Sequence, residues 1–330
     1  MPRVIQFSEF GGPEVLRFHE VETPSPKDNE LVIEVRAIGL NQSDAMMRSG
    51  ILGGGVTLPS RLGHDAAGIV TAVGKNIAHV RVGDAVDTLP AFSPSEYGVY
   101  GEVALVPGHA VVKQPAGLTF EEGASIWTMF LTAYDALIGD ADLQPGEPVL
   151  ITAASSSVGL AAIQLANLVG AVPIALTRTS EKRQKLLDAG AKVVVPYDEV
   201  DLHEEVMNIT GQKGVRIAFD PVGGELLPRL MGLMPWQGTL YLYGALGGAS
   251  TTIPVVDAIL QKLTIKAWTL GGRLGDPVAL KSAVEFLSAA LEQNKLTPCV
   301  DRIFAFDEIV ESHRYLESGR QFGKIVVSVG

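Results

Sequence analysis

Cysteine is nearly missing. Cys299 is the one thiol among 330 residues, so no internal disulfide can form, and a reducing compartment, the cytoplasm, is the expected location. Cys299 itself is read as a packing residue. Long apolar runs are missing too: the richest, residues 159–172, is interrupted by Gln164 and Asn167 and falls short of the roughly 20 residues that span a bilayer. The opening Met1-Pro2-Arg3-Val4-Ile5-Gln6 is strand-like at once, so no secretion leader is expected from it. Positive charge is in deficit, 26 Lys and Arg against 37 Asp and Glu. The resulting net charge of −11 repels phosphate backbones and anionic lipid, which disfavours nucleic-acid and membrane-surface roles. No repeat or low-complexity tract points to a solenoid or a fibre.

What is present is the composition of a globular α/β enzyme with many tight turns: 47% hydrophobic residues, 36 Gly and 19 Pro. The length exceeds one ordinary core and predicts two domains. Residues 31–37, 68–74, 80–86 and 102–106 read as short strands around a Pro- and Ser-containing loop at 89–101, the spacing of a small β-barrel. From about Glu121 the pattern changes to apolar strands (148–153, 171–176, 192–195, 215–220 and 238–243) alternating with helices (158–168 and 180–189). That succession predicts a doubly wound parallel sheet of Rossmann type inserted into the barrel domain. The tail returns to mixed character and ends in a strand, 323–329. The expected division is 1–122, 123–264 and 265–330, the last part returning to the first domain.

Between the strand at 148–153 and its helix lies Ala153-Ala154-Ser155-Ser156-Ser157-Val158-Gly159. A dinucleotide pyrophosphate needs a tight turn of small residues whose amides, with the helix N-terminus, face its oxygens. Of the usual G-x-G-x-x-G only Gly159 remains, so the segment reads either as such a cradle or as a plain strand-to-helix turn. The next strand ends Thr177-Arg178-Thr179-Ser180-Glu181-Lys182, without the acid that would bind an adenosine 2′-hydroxyl. Arg178 is suited to clamp a 2′-phosphate, with Thr179, Ser180 and Lys182 as further donors and Thr177 beside them at the cofactor, which favours NADPH over NADH. The alternative is a solvated helix start capped by Thr179 or Ser180.

Five further segments carry a resemblance: Gly11-Gly12-Pro13-Glu14-Val15-Leu16, Gly39-Leu40-Asn41-Gln42-Ser43-Asp44, Gly63-His64-Asp65-Ala66-Ala67-Gly68, Leu131-Thr132-Ala133-Tyr134 and Phe322-Gly323-Lys324-Ile325-Val326. In this order they resemble the medium-chain dehydrogenase/reductase superfamily, within it the zinc-free quinone and enoyl reductase branch, over essentially the whole chain. The resemblance implies a GroES-like N-terminal barrel carrying the Rossmann-type insertion. Zinc members hold their catalytic metal with Cys, His and Cys, which fall here on Asn41, His64 and Thr128. Neutral amide and hydroxyl oxygens are poor ligands beside thiolates, so no metal is expected and His64 is read as a hydrogen-bonded or structural residue. The four-cysteine structural zinc loop has no counterpart either.

By the same analogy Asn41, Asp44 and Thr132 lie near the reacting end of the cofactor, with Gly244, Ala245 and Leu246 along its nicotinamide half. Tyr197 lies near the adenosine phosphate, and Phe322 and Lys324 in a closing C-terminal segment. Without a Lewis acid, the implied chemistry is hydride addition to a quinone or an α,β-unsaturated carbonyl, and the implied partners are a small apolar substrate and a second copy of the chain in a homodimer. Two tyrosines common in the branch are replaced by Met46 and Ile51, leaving water, Asp44, Tyr97 and Tyr100 as alternative proton sources. Met46, Met47, Ile51, Trp127, Phe130, Trp236 and Trp268 line an apolar pocket or pack in the core. A zinc alcohol dehydrogenase and a nucleotide-binding scaffold without turnover are the competing readings.

Overall fold

The computed structural model describes residues 1–51 and 56–330. Two compact units divide the chain, Met1–Met129 with Glu285–Gly330, and Phe130–Val284. Before the first crossing come strands β1 (Arg3–Gln6), β2 (Arg17–Glu20), β3 (Glu30–Gly39), β4 (Asp65–Val73), β5 (Ala85–Thr88), β6 (Val103–Pro107) and β7 (Val111–Lys113), with helices α1 (Gln42–Arg48) and α2 (Phe120–Tyr134). The second unit holds β8 (Pro148–Ile151), α3 (Ser157–Leu168), β9 (Val172–Thr177), β10 (Val193–Pro196), β11 (Ile217–Asp220), α4 (Leu226–Met231), β12 (Thr239–Leu242) and β13 (Thr264–Ala267). Helix α5 (Pro277–Glu292) leads back to β14 (Val300–Ala305), α6 (Ile309–Glu317) and β15 (Lys324–Ser328). The chain crosses between units within α2 and α5, at 129/130 and 284/285, where the sequence placed its divisions at 122/123 and 264/265.

The second unit is the expected doubly wound sheet: order β10-β9-β8-β11-β12-β13, every pair parallel. Its central strands are continuous apolar runs rather than alternating ones because both faces are covered. Val149, Leu150 and Ile151 are buried, as are Ile217, Ala218 and Phe219. Leu150, Ile174, Leu176, Ala218 and Leu240 share one core with Leu226, Leu227 and Leu230 of α4. The strand order reverses at β8 and β11, so the carboxyl ends of these two strands are where such a sheet receives its ligand.

In the first unit β3 is the hub, paired antiparallel with β4, β6 and β15. The sheet order is β14-β15-β3-β4-β5-β7, with β6 also on β3. Two register shifts between β3 and β4 bend the pair, the usual effect of a bulge. One core takes Ile5, Leu31, Ile33, Val35, Val70, Ala104 and Val106 together with Ile325 and Val327 of the final strand, so the chain's last strand is integral to its first domain. The strand expected at 80–86 begins only at Ala85. Gly83 sits at φ +91° and the Asp84 carboxylate accepts the Arg81 amide at 3.1 Å, a local turn chemistry that competes with extension.

Candidate functional site

The serine turn leaves β8 at Thr152. Ser156 is the N-cap of α3, its Oγ accepting the Gly159 amide at 3.0 Å. A helix's first-turn amides have no intrahelical acceptor; with that of Gly159 taken, those of Ser157 and Val158 remain for an anion, reinforced by the dipole of a helix of 12 residues. Only glycine fits at 159, because a Cβ there would lie 2.7 Å from the carbonyl oxygens of both Ala153 and Ala154. Ala153 is in the left-handed region at φ +44°, uncommon for a residue with a Cβ and typical of functional turns.

The loops after β11 and β12 are pinned to this turn. Asp220, fully buried, accepts the Thr152 hydroxyl and, at 2.9 Å each, the amides of Val222 and Gly223. Leu246 and Gly247 donate in turn to the carbonyls of Pro221 and Val222. A Cβ on Gly244 would meet Pro221 O at 2.7 Å. The predicted Gly244-Ala245-Leu246 stretch is therefore stapled at the carboxyl edge of the sheet, Gly244 and Ala245 half-buried and Leu246 exposed.

Cations gather at the end of β9. Lys182 Nζ reaches Ser155 Oγ at 3.2 Å, joining the serine turn to the next strand's end. The amides of Tyr197 and Asp198 bond the carbonyls of Thr177 and Arg178. Arg229 of α4 donates to Tyr197 O at 3.0 Å and lies over the Tyr197 ring, 5.5 Å from its centroid. Burial, then Asp198, raise the Tyr197 phenol above its usual value while Arg178 and Arg229 oppose them, so both guanidiniums are felt at one ring. The sequence singles out Thr177, Arg178, Thr179, Lys182 and Tyr197 but not Arg229, which the fold brings to the same ring as Arg178. No motif leads to a residue on α4; it becomes visible only once its guanidinium meets Tyr197, just after β10.

A buried polar cluster fills the first unit. Asn41 is the N-cap of α1, its amide bonded to Asp44 Oδ2 at 2.8 Å. Asn41 Nδ2 donates to Asp65 Oδ2 at 3.0 Å, Thr128 Oγ1 to Asp65 Oδ1 at 2.6 Å, and Lys324 Nζ to both Asn41 Oδ1 (2.7 Å) and Asp65 Oδ2 (2.6 Å). Lys324, expected in a segment closing over cofactor, is 1% exposed and commits its ammonium to this cluster. Tyr100 Oη bonds Asp44 Oδ2 at 3.1 Å and His313 Nε2 at 3.3 Å. Burial pushes the Asp44 carboxyl up to about 7, against the Asn41 amide, Lys324 and Tyr100. Asp87, bonded to Trp127 Nε1 at 3.0 Å, is likewise raised to about 7 by burial.

Asn41 and Asp44 are thus brought together as expected, while Thr132, half-buried, lies on the part of α2 that belongs to the second unit. Half-buried Phe322 precedes β15. His64 feels Asp65 and Lys324 of the cluster, but its ring bonds the Phe92 backbone and lies 5.5 Å from the Phe92 ring, and burial lowers its basicity. Of the proposed pocket residues, Met47, Trp127 and Phe130 are core, Ile51 and Trp236 are exposed, and Trp268 packs edge-on to Tyr241. Tyr97 donates to Glu30 at 2.9 Å, and that bond pushes its phenol up to about 12. The three positions that hold zinc in other members have polar partners of their own here. The Asn41 oxygen already accepts an ammonium, the Thr128 hydroxyl donates to a carboxylate, and the His64 ring bonds the Phe92 backbone.

Residues 27–116 match the family described as alcohol dehydrogenase GroES-like domain, and residues 157–289 that described as zinc-binding dehydrogenase. Human quinone oxidoreductase is 32% identical over 96% of this chain and 94% of its own length. The structure of Escherichia coli quinone oxidoreductase complexed with NADPH superimposes with a TM-score of 0.90 at 31% identity, covering 99% of each chain. That of CurK enoyl reductase gives 0.90 at 28% identity over 100% of this chain and 99% of the other.

Proposed function

Because this chain belongs to the medium-chain dehydrogenase/reductase superfamily, in its quinone oxidoreductase-like branch, we propose that it is an NADPH-dependent reductase acting on a quinone or an α,β-unsaturated carbonyl without zinc. The observation that carries the cofactor choice is the cation cluster at the end of β9. Lys182 tied to Ser155, with Arg178 and Arg229 about Tyr197, suits a 2′-phosphate as an acid there would suit a free hydroxyl. We assign Ser155, Ser156, Ser157, Val158 and Gly159 to the pyrophosphate, Thr177, Arg178, Thr179, Lys182 and Tyr197 to the adenosine phosphate, and Gly244, Ala245 and Leu246 to the nicotinamide half. Phe322 and Lys324 belong to the C-terminal segment, Lys324 acting through Asn41 and Asp65.

NADPH, when bound, supplies the hydride. Asn41, Asp44 and Thr132 are the side chains assigned to the reacting end, where charge develops on the acceptor's oxygen and a proton is needed. Zinc independence is supported by donor chemistry. A dication at Asn41 and Thr128 would meet the Lys324 ammonium 2.7 Å from the Asn41 oxygen and would find no thiolate. Among the described residues no helix is long and apolar enough to cross a membrane, and the single cysteine of the chain supports a cytoplasmic enzyme. A homodimer is supported by the open edge of β13, at the end of the sheet, and by exposed Val255, Val256, Ile259 and Leu260 nearby in sequence, an apolar surface that a second copy would cover.

The test is single-turnover oxidation of NADPH with a panel of enones and quinones, alongside metal analysis of the purified protein. Turnover without stoichiometric zinc is expected; binding without oxidation would overturn the reading in favour of a scaffold. Arg178→Ala should weaken NADPH by roughly 10- to 100-fold, the range for losing a charge-assisted bond, and leave NADH nearly unchanged. Equal weakening of both would remove the case for the 2′-phosphate.

A further inference from the structure

Behind the Asn41 cap, three side chains from distant parts of the chain form a single file: Asp44 of α1, Tyr100 just before β6, and His313 of α6. They are 1%, 0% and 0% exposed. Tyr100 Oη stands in the middle, 3.1 Å from Asp44 Oδ2 and 3.3 Å from His313 Nε2. The rings of Tyr100 and His313 meet edge-on with centroids 5.8 Å apart, so their geometry is fixed by packing as well as by the bond. His313 Nδ1 is buried and has no hydrogen-bond partner among the described residues. Tyr100 is therefore the ring's one hydrogen-bond partner among the described residues, and the direction of its hydroxyl sets which nitrogen carries the ring proton.

We propose that Tyr100 and His313 are positioning residues that hold the proton of Asp44, and that His313 responds to the state of Asp44 by changing tautomer rather than charge. With Asp44 protonated, its O–H donates to Tyr100 Oη, Tyr100 donates to His313 Nε2, and the ring proton is on Nδ1. With Asp44 ionised, Tyr100 turns to donate to Oδ2, Nε2 carries the ring proton and donates to Tyr100 Oη, and Nδ1 is bare. The second state has one proton fewer, released to water, and no group in it is left with two donors facing each other.

The charged and titratable groups around the file agree with this. Asp44 is faced by the Asn41 amide on its own helix, by Lys324 of β15 and Asp65 of β4, and by Tyr100. His313 is faced by Tyr100 and by Arg48 of α1, whose guanidinium bonds Glu317. Burial, then Arg48, lower the His313 ring to about 3, so it stays neutral while Asp44 titrates near 7.

The experiment is 15N NMR of ring-labelled histidine in the full-length protein. His313 should convert from the Nδ1–H to the Nε2–H tautomer between roughly pH 6 and 8 without passing through the doubly protonated form. Tyr100→Phe should abolish that conversion. A ring that keeps one tautomer throughout, or that becomes cationic, overturns the proposal. The catalytic consequence rests on the reductase reading: if Asp44 supplies the proton, kcat/KM falls as pH rises through its pKa. Tyr100→Phe removes a donor that favours the ionised carboxylate and moves that fall upward, whereas an unshifted profile contradicts the positioning role. The tautomer measurement needs no turnover, so a protein that reduces no enone or quinone would defeat the function while leaving this inference to its own test.

Discussion

Lys324 is a full charge in a dry place, and its neighbours explain why it is tolerated. Asp65 neutralises it at 2.6 Å and the Asn41 oxygen takes a second donor. Asp65 itself accepts from Thr128, Asn41 and Lys324. Breaking such a pair from one side leaves the other charge buried and unpaired, which typically costs about 3–5 kcal/mol, whereas removing both partners together costs far less. Lys324→Met is therefore expected to lower stability by about that amount, and Asp65→Asn in the same chain to restore part of it. Urea denaturation of the two variants and the parent decides this, and a loss under about 1 kcal/mol for Lys324→Met would show that the cluster is held by packing rather than by charge. Asn41 and Asp44 were legible in sequence because both belong to one short motif. The Lys324–Asn41 bond spans 283 positions and the Tyr100–His313 bond 213, separations over which no local pattern carries information.

At the scale of elements, legibility followed the strength of the period. The continuous apolar runs of β8, β9 and β11 were evident because a strand covered on both faces excludes polar residues, and the sheet they build was predicted with them. β2 and β13 were not foreseen. β2 is exposed at every position and β13 lies at a sheet edge, so neither has an apolar stripe to announce it. The serine turn fails the glycine fingerprint and still makes the turn, since close approach is demanded at Gly159 alone within it, while Ala153 accepts a strained φ of +44°. For an L-residue the left-handed region costs roughly 1–2 kcal/mol, partly offset by the greater unfolded-state freedom of glycine. Ala153→Gly should then raise stability by up to about 1 kcal/mol with little change in NADPH affinity. Thermal unfolding with and without NADPH measures both quantities, and a destabilised variant would mean that the alanine methyl makes contacts worth more than the strain. Gly159→Ala has the opposite expectation, because its Cβ meets backbone that cannot step aside.

Across the whole molecule the pH dependence of stability is set by groups that the fold shifts in opposite directions. Asp44 and Asp87 are raised from 3.8 to about 7 by burial, so between those values the native state binds more protons than the unfolded chain, and their contribution falls as pH rises through about 7. His313, lowered by burial to about 3, works the other way: the unfolded chain takes up its proton first, and stability from this residue grows from about pH 3 until the unfolded ring titrates near 6.5. Each group contributes a slope of up to about 1.4 kcal/mol per pH unit; His64, whose basicity burial also lowers, adds a second rising slope below about 6.5, so the falling slopes stand alone only just above that value. Asp87 tests this most directly, since it is fully buried, bonded to Trp127 through one oxygen, and its Oδ1 has no hydrogen-bond partner among the described residues. Asp87→Asn keeps a neutral group of the same shape at every pH. The variant should therefore gain on the parent as pH rises from 6 to 8, where the parent must either ionise in the core or hold its proton against solvent, and denaturant titrations at the two pH values would give parallel curves only if Asp87 is already ionised at pH 6.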